Sequence, residues 1–260
     1  MNAFLPWLGG KRRLASVITG QLGRIPHTSY VEPFCGAGHV FFRKAPVESE
    51  VLSDRNLELM ILYRVVQRHC RELLRAFRWA LVSRTAFEAL ADTPPELLTD
   101  VQRAARFLTL QKLTFGGMPG GRSFGVQTTG RPKLNLDTLP DVLGAAAARL
   151  SGVRLEHRSW EDCLARHDSP DTLFYLDPPY WDCEADYGPG LFASGDFARL
   201  SDALRDLRGQ FVLSLNDVPE VRALFSGFHL QAVTTRYTVS ARSNATLAAE
   251  LLISNAALAN

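Results

Sequence analysis

The sequence predicts an α/β fold in which a sheet is interrupted by a mostly helical insertion. Short apolar runs rich in β-branched and aromatic residues alternate with helical patterns, as expected for an α/β domain. From Leu57 to about Leu150 the pattern becomes mainly helical. We therefore expect one domain formed by residues 1–56 and 151–260, and an inserted helical domain formed by residues 57–150.

The predicted strands lie on both sides of the insertion. The first two are Ser29–Glu32 and Val51–Ser53, with a helix expected between them through Val40–Lys44. The strands predicted after the insertion are Val153–His157, Thr172–Leu176, Gln210–Leu215, Phe228–Tyr237 and Glu250–Ser254. An amphipathic helix is expected over Asp196–Leu207, and the Thr93-Pro94-Pro95 stretch should divide the insertion into separate helices.

Composition indicates an ordinary globular protein. Hydrophobic residues make up 46% of the 260 residues and charged residues 22%, with a formal net charge of +2. No apolar run approaches the roughly 20 residues that a membrane span needs, so we expect no membrane association. The four cysteines are dispersed, without a CxxC pair or a His/Cys cluster at zinc spacing. We therefore expect reduced thiols, a cytoplasmic protein and no metal.

Local charge is more informative than net charge. Six basic residues lie between Asp100 and Asn135, and the second half of this segment is rich in glycine. A basic, glycine-rich loop lets a phosphate backbone approach closely. The alternative is a solvated surface loop.

A glycine motif, Glu32-Pro33-Phe34-Cys35-Gly36-Ala37-Gly38, follows the first predicted strand. Glycines at a strand-to-helix turn let the backbone pass close to a ligand, and the expected next helix presents its N-terminus. The second strand is followed by Asp54, eighteen positions after Gly36, about the spacing of an acidic residue that binds a ribose. The alternative for Asp54 is an N-cap of the helix that starts near Leu57.

A second motif, Asp177-Pro178-Pro179-Tyr180, directly follows the strand Thr172–Leu176. The amino nitrogen of adenine is a poor nucleophile, and two acceptors placed against its N–H bonds would hold it. Asp177 offers a carboxylate and Pro178 a carbonyl, in a loop that two prolines stiffen. Tyr180 offers a flat face for a base rotated out of a duplex. The alternative is a proline-rich turn with a buried tyrosine.

A third motif, Phe4-Leu5-Pro6-Trp7-Leu8-Gly9-Gly10-Lys11, lies near the N-terminus. Trp7 offers an aromatic face, and Lys11 a positive charge for a carboxylate. Taken alone, these residues are more typical of a packed tail.

In this order along the chain, the three motifs resemble those of Dam-type (D12 class) DNA adenine-N6 methyltransferases, and the resemblance covers nearly the whole chain. It implies a class I S-adenosylmethionine (SAM)-dependent methyltransferase sheet, Rossmann-like, with a DNA-recognition domain inserted between the SAM-binding and catalytic motifs. It also implies a site-specific enzyme that transfers a methyl group from SAM to the N6 amino group of a flipped-out adenine in double-stranded DNA.

The resemblance implies roles for individual positions. SAM would be contacted by Trp7, Lys11, Asp54 and Asp177, and its pocket lined by Phe34, Gly36 and Gly38. The flipped adenine would be held by Asp177, Pro178, Pro179 and Tyr180. Arg236 and Arg242 lie in a C-terminal stretch that often approaches DNA in the family. The loop Gly116–Lys133 follows a helix, lies between the SAM-binding and catalytic motifs and has basic residues among glycines, so we expect it to read the DNA sequence. We assign a base contact to Arg122 and phosphate contacts to Arg131 and Lys133.

The loop Phe115–Arg122 departs from family members that read GATC, which usually have asparagine in place of Gly116, so the resemblance assigns no target sequence. The chain resembles phage- or prophage-encoded relatives, which implies an orphan enzyme rather than part of a restriction–modification pair, and we expect a monomer. Three alternatives stay open. Cytosine-N4 enzymes more often have serine, and protein-glutamine enzymes asparagine, in place of Asp177. A DNA-binding module without catalysis would not need Asp177, Tyr180, Asp54 and Lys11.

Overall fold

The computed structural model describes residues 1–7, 9–11, 13–78, 80, 82–114, 124–125, 134–184, 190–237 and 246–258, with the backbone alone for residues 234–237 and 246–248. Within these residues one sheet contains seven strands. The strands are β1 (Ser29–Glu32), β2 (Ser49–Ser53), β3 (Arg154–Glu156), β4 (Thr172–Leu176), β5 (Gln210–Asn216), β6 (His229–Tyr237) and β7 (Thr246–Ser254).

The helices of the described residues cover both faces of this sheet. They are α1 (Ala15–Leu22), α2 (Leu57–Phe77), α3 (Arg84–Asp92), α4 (Asp100–Leu113), α5 (Leu139–Leu150), α6 (Trp160–His167), α7 (Ser194–Arg205) and α8 (Pro219–Leu224). A short 3₁₀ helix, Pro95–Leu97, lies between α3 and α4. No helix in the described ranges is long and apolar enough to span a membrane.

The strand order is β3-β2-β1-β4-β5-β7-β6. Strands β1 to β5 pair in parallel, whereas β7 is antiparallel to both of its neighbours, β5 and β6. This arrangement confirms the predicted class I methyltransferase sheet. Because β1 lies between β2 and β4, the segments that follow these three strands leave the same edge of the sheet, where open α/β sheets bind their ligands.

Strand β4 contributes side chains to two hydrophobic cores, one on each face of the sheet. All five of its residues are buried. Leu173 and Tyr175 pack in the core that contains α1, α2, α4 and α5, whereas Phe174 and Leu176 pack in the core that contains α6, α7 and α8. Successive side chains of a strand point to opposite faces, so a continuous apolar run is required here. Each large apolar side chain buried in this way contributes roughly 1.5–3 kcal/mol.

The region predicted as an insertion contains α2 to α5. Thr93 and Pro94 separate α3 from the 3₁₀ helix, which starts at Pro95, so the Thr93-Pro94-Pro95 stretch divides the helices as the sequence predicted. Thr99 and Gln102 form a capping box that starts α4. Buried side chains of α2, α4 and α5 belong to the same core cluster as one face of the sheet. The insertion therefore shares a core with the sheet, and the domain boundaries stay a prediction.

The prediction of a helix through Val40–Lys44 is wrong, because the chain forms consecutive turns there. Phe42 N–H donates to the Gly38 carbonyl at 2.9 Å, and Lys44 N–H to the Val40 carbonyl at 2.9 Å, but no regular helix develops. The consecutive residues Val40, Phe41 and Phe42 are all buried, so the segment has no exposed face of the kind that a surface helix presents.

Candidate active site

The glycine motif forms a tight turn after β1. Gly36 has φ +45° and Gly38 φ +67°, both in the left-handed region that favours glycine. A Cβ atom on Gly36 would lie 2.7 Å from Nε1 of Trp7, and one on Gly38 would lie 2.9 Å from the hydroxyl of Tyr63. The backbone therefore requires glycine here for both conformation and space.

Asp54 fastens this turn to the end of β2. Its carboxylate accepts hydrogen bonds from the backbone N–H of Gly36 at 3.0 Å and of Asn56 at 2.9 Å. Burial is the largest influence on Asp54 and raises its pKa, although the two backbone donors oppose the shift. The cap of α2 is Asn56, whose side chain accepts from Leu59 N–H, so the N-cap alternative for Asp54 is wrong.

The segment after β4 is held by the neighbouring strand β5. Asn216, the last residue of β5, accepts from the backbone N–H of Trp181 at 3.0 Å and donates to the Trp181 carbonyl at 3.3 Å. Two hydrogen bonds from one amide set the position of the chain directly after Tyr180. Pro178 and Pro179 are buried, which further restricts the loop.

Lys11 lies at the centre of the site. Its side chain is 2% exposed, and its Nζ is 2.5 Å from Oδ1 of Asp177 and 3.9 Å from Oε2 of Glu250. The same ammonium lies 4.4 Å from the ring centroid of Tyr180, a cation–π distance. The N-terminal motif is therefore joined directly to the motif after β4.

The Asp177 carboxylate has two unlike oxygens. Oδ1 accepts from Lys11 and also from the Ser214 hydroxyl at 3.0 Å, and Ser214 is itself hydrogen-bonded to the Tyr175 hydroxyl at 3.0 Å. No described residue donates to Oδ2. Burial is the largest influence on the pKa of Asp177 and raises it, while Lys11 and Ser214 act in the opposite direction.

A pocket lies between these groups at the carboxyl edge of the sheet. All seven positions predicted to bind or line a cofactor contribute to its wall: Trp7, Lys11, Phe34, Gly36, Gly38, Asp54 and Asp177. Pro179 also lines the pocket, whereas Tyr180 lies beside it, against Lys11.

Sequence reasoning missed several contributors. Trp160 and Phe192 add aromatic surface to the pocket, and Phe192 packs edge-on against Phe34 with ring centroids 5.8 Å apart. Ser214 and Glu250 reach the Lys11–Asp177 pair from β5 and β7. The only available signal was a polar residue inside an apolar strand, which does not by itself indicate a function.

The predicted DNA contacts Arg122, Arg131, Lys133 and Arg242 lie outside the described residues. Arg236 lies in β6, where only the backbone is described.

A class I sheet with a pocket at its carboxyl edge, whose wall includes Asp177 and Pro179 of an Asp-Pro-Pro-Tyr segment, is the arrangement of a SAM-dependent methyltransferase. Residues 7–239 match the family model of D12 class N6 adenine-specific DNA methyltransferases. The chain belongs to this family and is an adenine-specific DNA methyltransferase, as the sequence predicted. This family assignment excludes the three alternatives, which were a cytosine-N4 methyltransferase, a protein-glutamine methyltransferase and a DNA-binding module without catalysis.

Known relatives agree with this assignment at low identity. The chain is 25% identical over 238 residues to the type II methyltransferase M.CviBI of Paramecium bursaria Chlorella virus NC1A, covering 88% of each chain. It is 26% identical over 276 residues to the type II methyltransferase M1.LlaDCHI of Lactococcus lactis subsp. cremoris, covering 94% of this chain and 91% of that one. It is 25% identical over 252 residues to the DNA adenine methylase of Escherichia coli K12, covering 92% and 89%.

Proposed function

We propose that the pocket binds SAM and that Asp177 uses its second oxygen to hold the amino group of an adenine rotated out of double-stranded DNA. The asymmetry of the Asp177 carboxylate carries this proposal. Oδ1 is occupied by Lys11 and Ser214, so Oδ2 is the oxygen left to accept from a substrate N–H. The two hydrogen bonds to Oδ1 restrict rotation of the carboxylate, which would leave Oδ2 as the acceptor for the substrate.

The pocket residues fit SAM in chemistry and shape. The turn at Gly36 and Gly38 has no side chains, so the backbone can approach a bound ligand closely. Asp54 offers carboxylate oxygens to ribose hydroxyls. Phe34, Phe192 and Trp160 offer aromatic surface to an adenine ring. When bound, SAM supplies an activated methyl group on a sulfonium.

The adenine would be held by the loop after β4. The amino nitrogen has two N–H bonds, so it needs two acceptors, and Oδ2 of Asp177 and the carbonyl of Pro178 are the proposed pair. Tyr180 would stack against the base, with Lys11 on its ring and Asn216 holding the next residue. No nucleophile–base pair would be needed, because the amine would take the methyl group directly as the carbon–sulfur bond breaks, and the methylated nitrogen would then lose one proton to solvent.

Residues 57–150 would form the DNA-recognition unit. This proposal rests on their position between the SAM-binding and catalytic motifs and on their cluster of basic residues. Arg122 would read a base, Arg131 and Lys133 would bind phosphates, and Arg236 and Arg242 would approach the DNA from the C-terminal region.

The decisive experiment replaces Asp177 with alanine. Loss of the carboxylate should reduce the rate of N6-methyladenine formation by at least about 100-fold, the effect of removing one preorganised polar group. DNA binding, measured by fluorescence anisotropy, should be retained because it depends mainly on phosphate contacts.

Asp171→Asn is the matched control, since this exposed residue precedes the opposite end of the same strand. It should methylate DNA at the wild-type rate. Near-wild-type turnover by Asp177→Ala would contradict the assigned mechanism.

A further inference from the structure

A second cluster of reactive side chains lies between strand β3 and helix α6. Glu156 at the end of β3, and Cys163 and His167 on α6, each offer one potential metal-ligating atom, and these atoms all lie within 4.8 Å of one another. Cys163 and His167 are one helical turn apart and therefore share a face of α6. Glu156 reaches them from the edge strand of the sheet.

The burial of the cluster distinguishes it from a surface group of charges. Cys163 is fully buried, His167 is 12% exposed and Glu156 is 20% exposed. The imidazole Nε2 of His167 is 3.3 Å from Oε2 of Glu156. A small ion could thus enter past the histidine and the carboxylate and reach a thiol that is shielded from solvent.

We propose that Glu156, Cys163 and His167 form a binding site for a thiophilic divalent cation, with Zn²⁺ the best match. A thiolate, an imidazole and a carboxylate are all ligands that zinc uses in proteins, and three protein ligands leave a fourth position for water or a further oxygen. The fully buried Ser53 hydroxyl lies next to the Cys163 thiol and favours its thiolate form.

Zinc binding has a defined proton balance. Burial raises the pKa of the Cys163 thiol to about 12, so the free protein carries a protonated sulfur at neutral pH. Formation of the S–Zn bond breaks the S–H bond and releases one proton to the solvent, while His167 binds through its neutral ring. Arg158 competes for Glu156, since its Nε lies 3.1 Å from Oε2, but Asp162 also pairs with this guanidinium.

The site would brace the sheet next to the cofactor pocket. The Glu156 carbonyl accepts from the backbone N–H of Asp54 at 3.3 Å, and β3 is an edge strand of only three residues. Bound zinc would tie this strand to α6, the helix that leads into β4 and the catalytic loop. The proposed site departs from the expectation from sequence that the chain binds no metal.

The test uses the full-length protein, freed of metal by a chelator and titrated with Zn²⁺ against a chromophoric competitor. One equivalent should bind, with release of one proton measured by the buffer dependence of the binding heat. Co²⁺ in place of zinc should give a thiolate-to-cobalt charge-transfer band. Cys163→Ser should lose that band, and both Cys163→Ser and His167→Ala should weaken binding by at least about 100-fold, the upper range for outer-shell changes.

Matched variants separate this site from other metal ligands. Cys70→Ser and His157→Ala remove the same residue types outside the cluster and should bind zinc as the wild type does. Arg158→Gln removes the competing cation and should bind more tightly. If Cys163→Ser proves unfolded by circular dichroism, Glu156→Gln and His167→Ala decide the outcome. Absence of a 1:1 complex, or wild-type affinity in the cluster variants, would overturn the proposal. Neither result depends on methyl transfer.

Discussion

At the scale of single residues, the surroundings of Asp177 explain why a carboxylate can act as a precise acceptor. Ser214 is fully buried and links the Tyr175 hydroxyl to Oδ1 of Asp177. If Ser214 donates to Asp177, the Tyr175 hydroxyl donates to Ser214. We therefore regard Ser214 as a positioning residue that holds Asp177 in the orientation required by the proposed mechanism.

We expect Ser214→Ala to lower kcat by about tenfold, because one net hydrogen bond is worth roughly 1–1.5 kcal/mol. The affinities for SAM and DNA should not change. Since Ser214 lowers the pKa of Asp177, its loss should move the acid limb of the pH–rate profile to higher pH. Steady-state kinetics across pH measures both effects.

Ser201→Ala is the control for this substitution, because Ser201 is also buried and donates to a backbone carbonyl, that of Leu224, away from the pocket. It should show neither effect. An unchanged pH profile for Ser214→Ala would show that the serine only fills space.

At the scale of secondary-structure elements, α3 and α4 anchor the base of the proposed recognition loop. Thr114, directly after α4, forms an isolated bridge with Phe124, and Gly125 N–H donates to the Leu113 carbonyl at 2.8 Å. Phe124 packs edge-on against Phe87 of α3, with ring centroids 5.4 Å apart. The segment between these anchors carries Arg122, in residues 115–123, which lie outside the described part of the chain.

We expect Arg122→Ala to relax sequence specificity at one base position and to cost about 1–3 kcal/mol of binding, as for loss of a bidentate guanine contact. Methylome sequencing of cells that express the variant measures this change. Arg131→Ala is the comparison, because loss of a phosphate contact should weaken all sequences alike and reduce the salt dependence of binding. The same motif at the same stringency in Arg122→Ala would mean that this arginine only braces the loop.

At the scale of the whole molecule, a buried carboxyl group in the site makes the free energy of unfolding depend on pH. Glu32 ends β1, lines the pocket and is 2% exposed. Burial is the main cause that raises the pKa of Glu32 to about 8 from an ordinary value of 4.5, although the Tyr30 hydroxyl donates to the carboxylate at 2.6 Å. Between these values the folded protein binds more protons than the unfolded chain, so the free energy of unfolding falls as pH rises.

We expect Glu32→Gln to remove this dependence, since glutamine keeps an acceptor for Tyr30 and carries no charge. The variant should exceed the wild type in free energy of unfolding by at least about 1 kcal/mol at pH 8.5, with the advantage lost below about pH 4.5, because each unit of pKa shift is worth about 1.4 kcal/mol. Urea denaturation across this pH range measures the difference. Glu48→Gln, at an exposed position, should follow the wild type.

The class of fold and the main site residues could be predicted from local signals in the amino-acid sequence. Strands such as Ser29–Glu32 and Thr172–Leu176 were predicted with their observed bounds, because apolar runs and turn residues are local signals. The glycine turn and Asp54 were recognised from their spacing, and all seven predicted cofactor positions line one pocket. Helices α1, α6 and α8 were not predicted, because each is only eight residues long or shorter.

The contacts between groups that are distant in the sequence could not be predicted, because they depend on how the strands and helices pack. Lys11, Ser214 and Glu250 converge on Asp177 because β4, β5 and β7 lie side by side, a pairing that spans most of the chain. Val40–Lys44 also forms consecutive turns instead of the predicted helix, because its consecutive apolar residues are all buried in the core. Long-range contacts of this kind depend on strand order and burial, which no local spacing encodes.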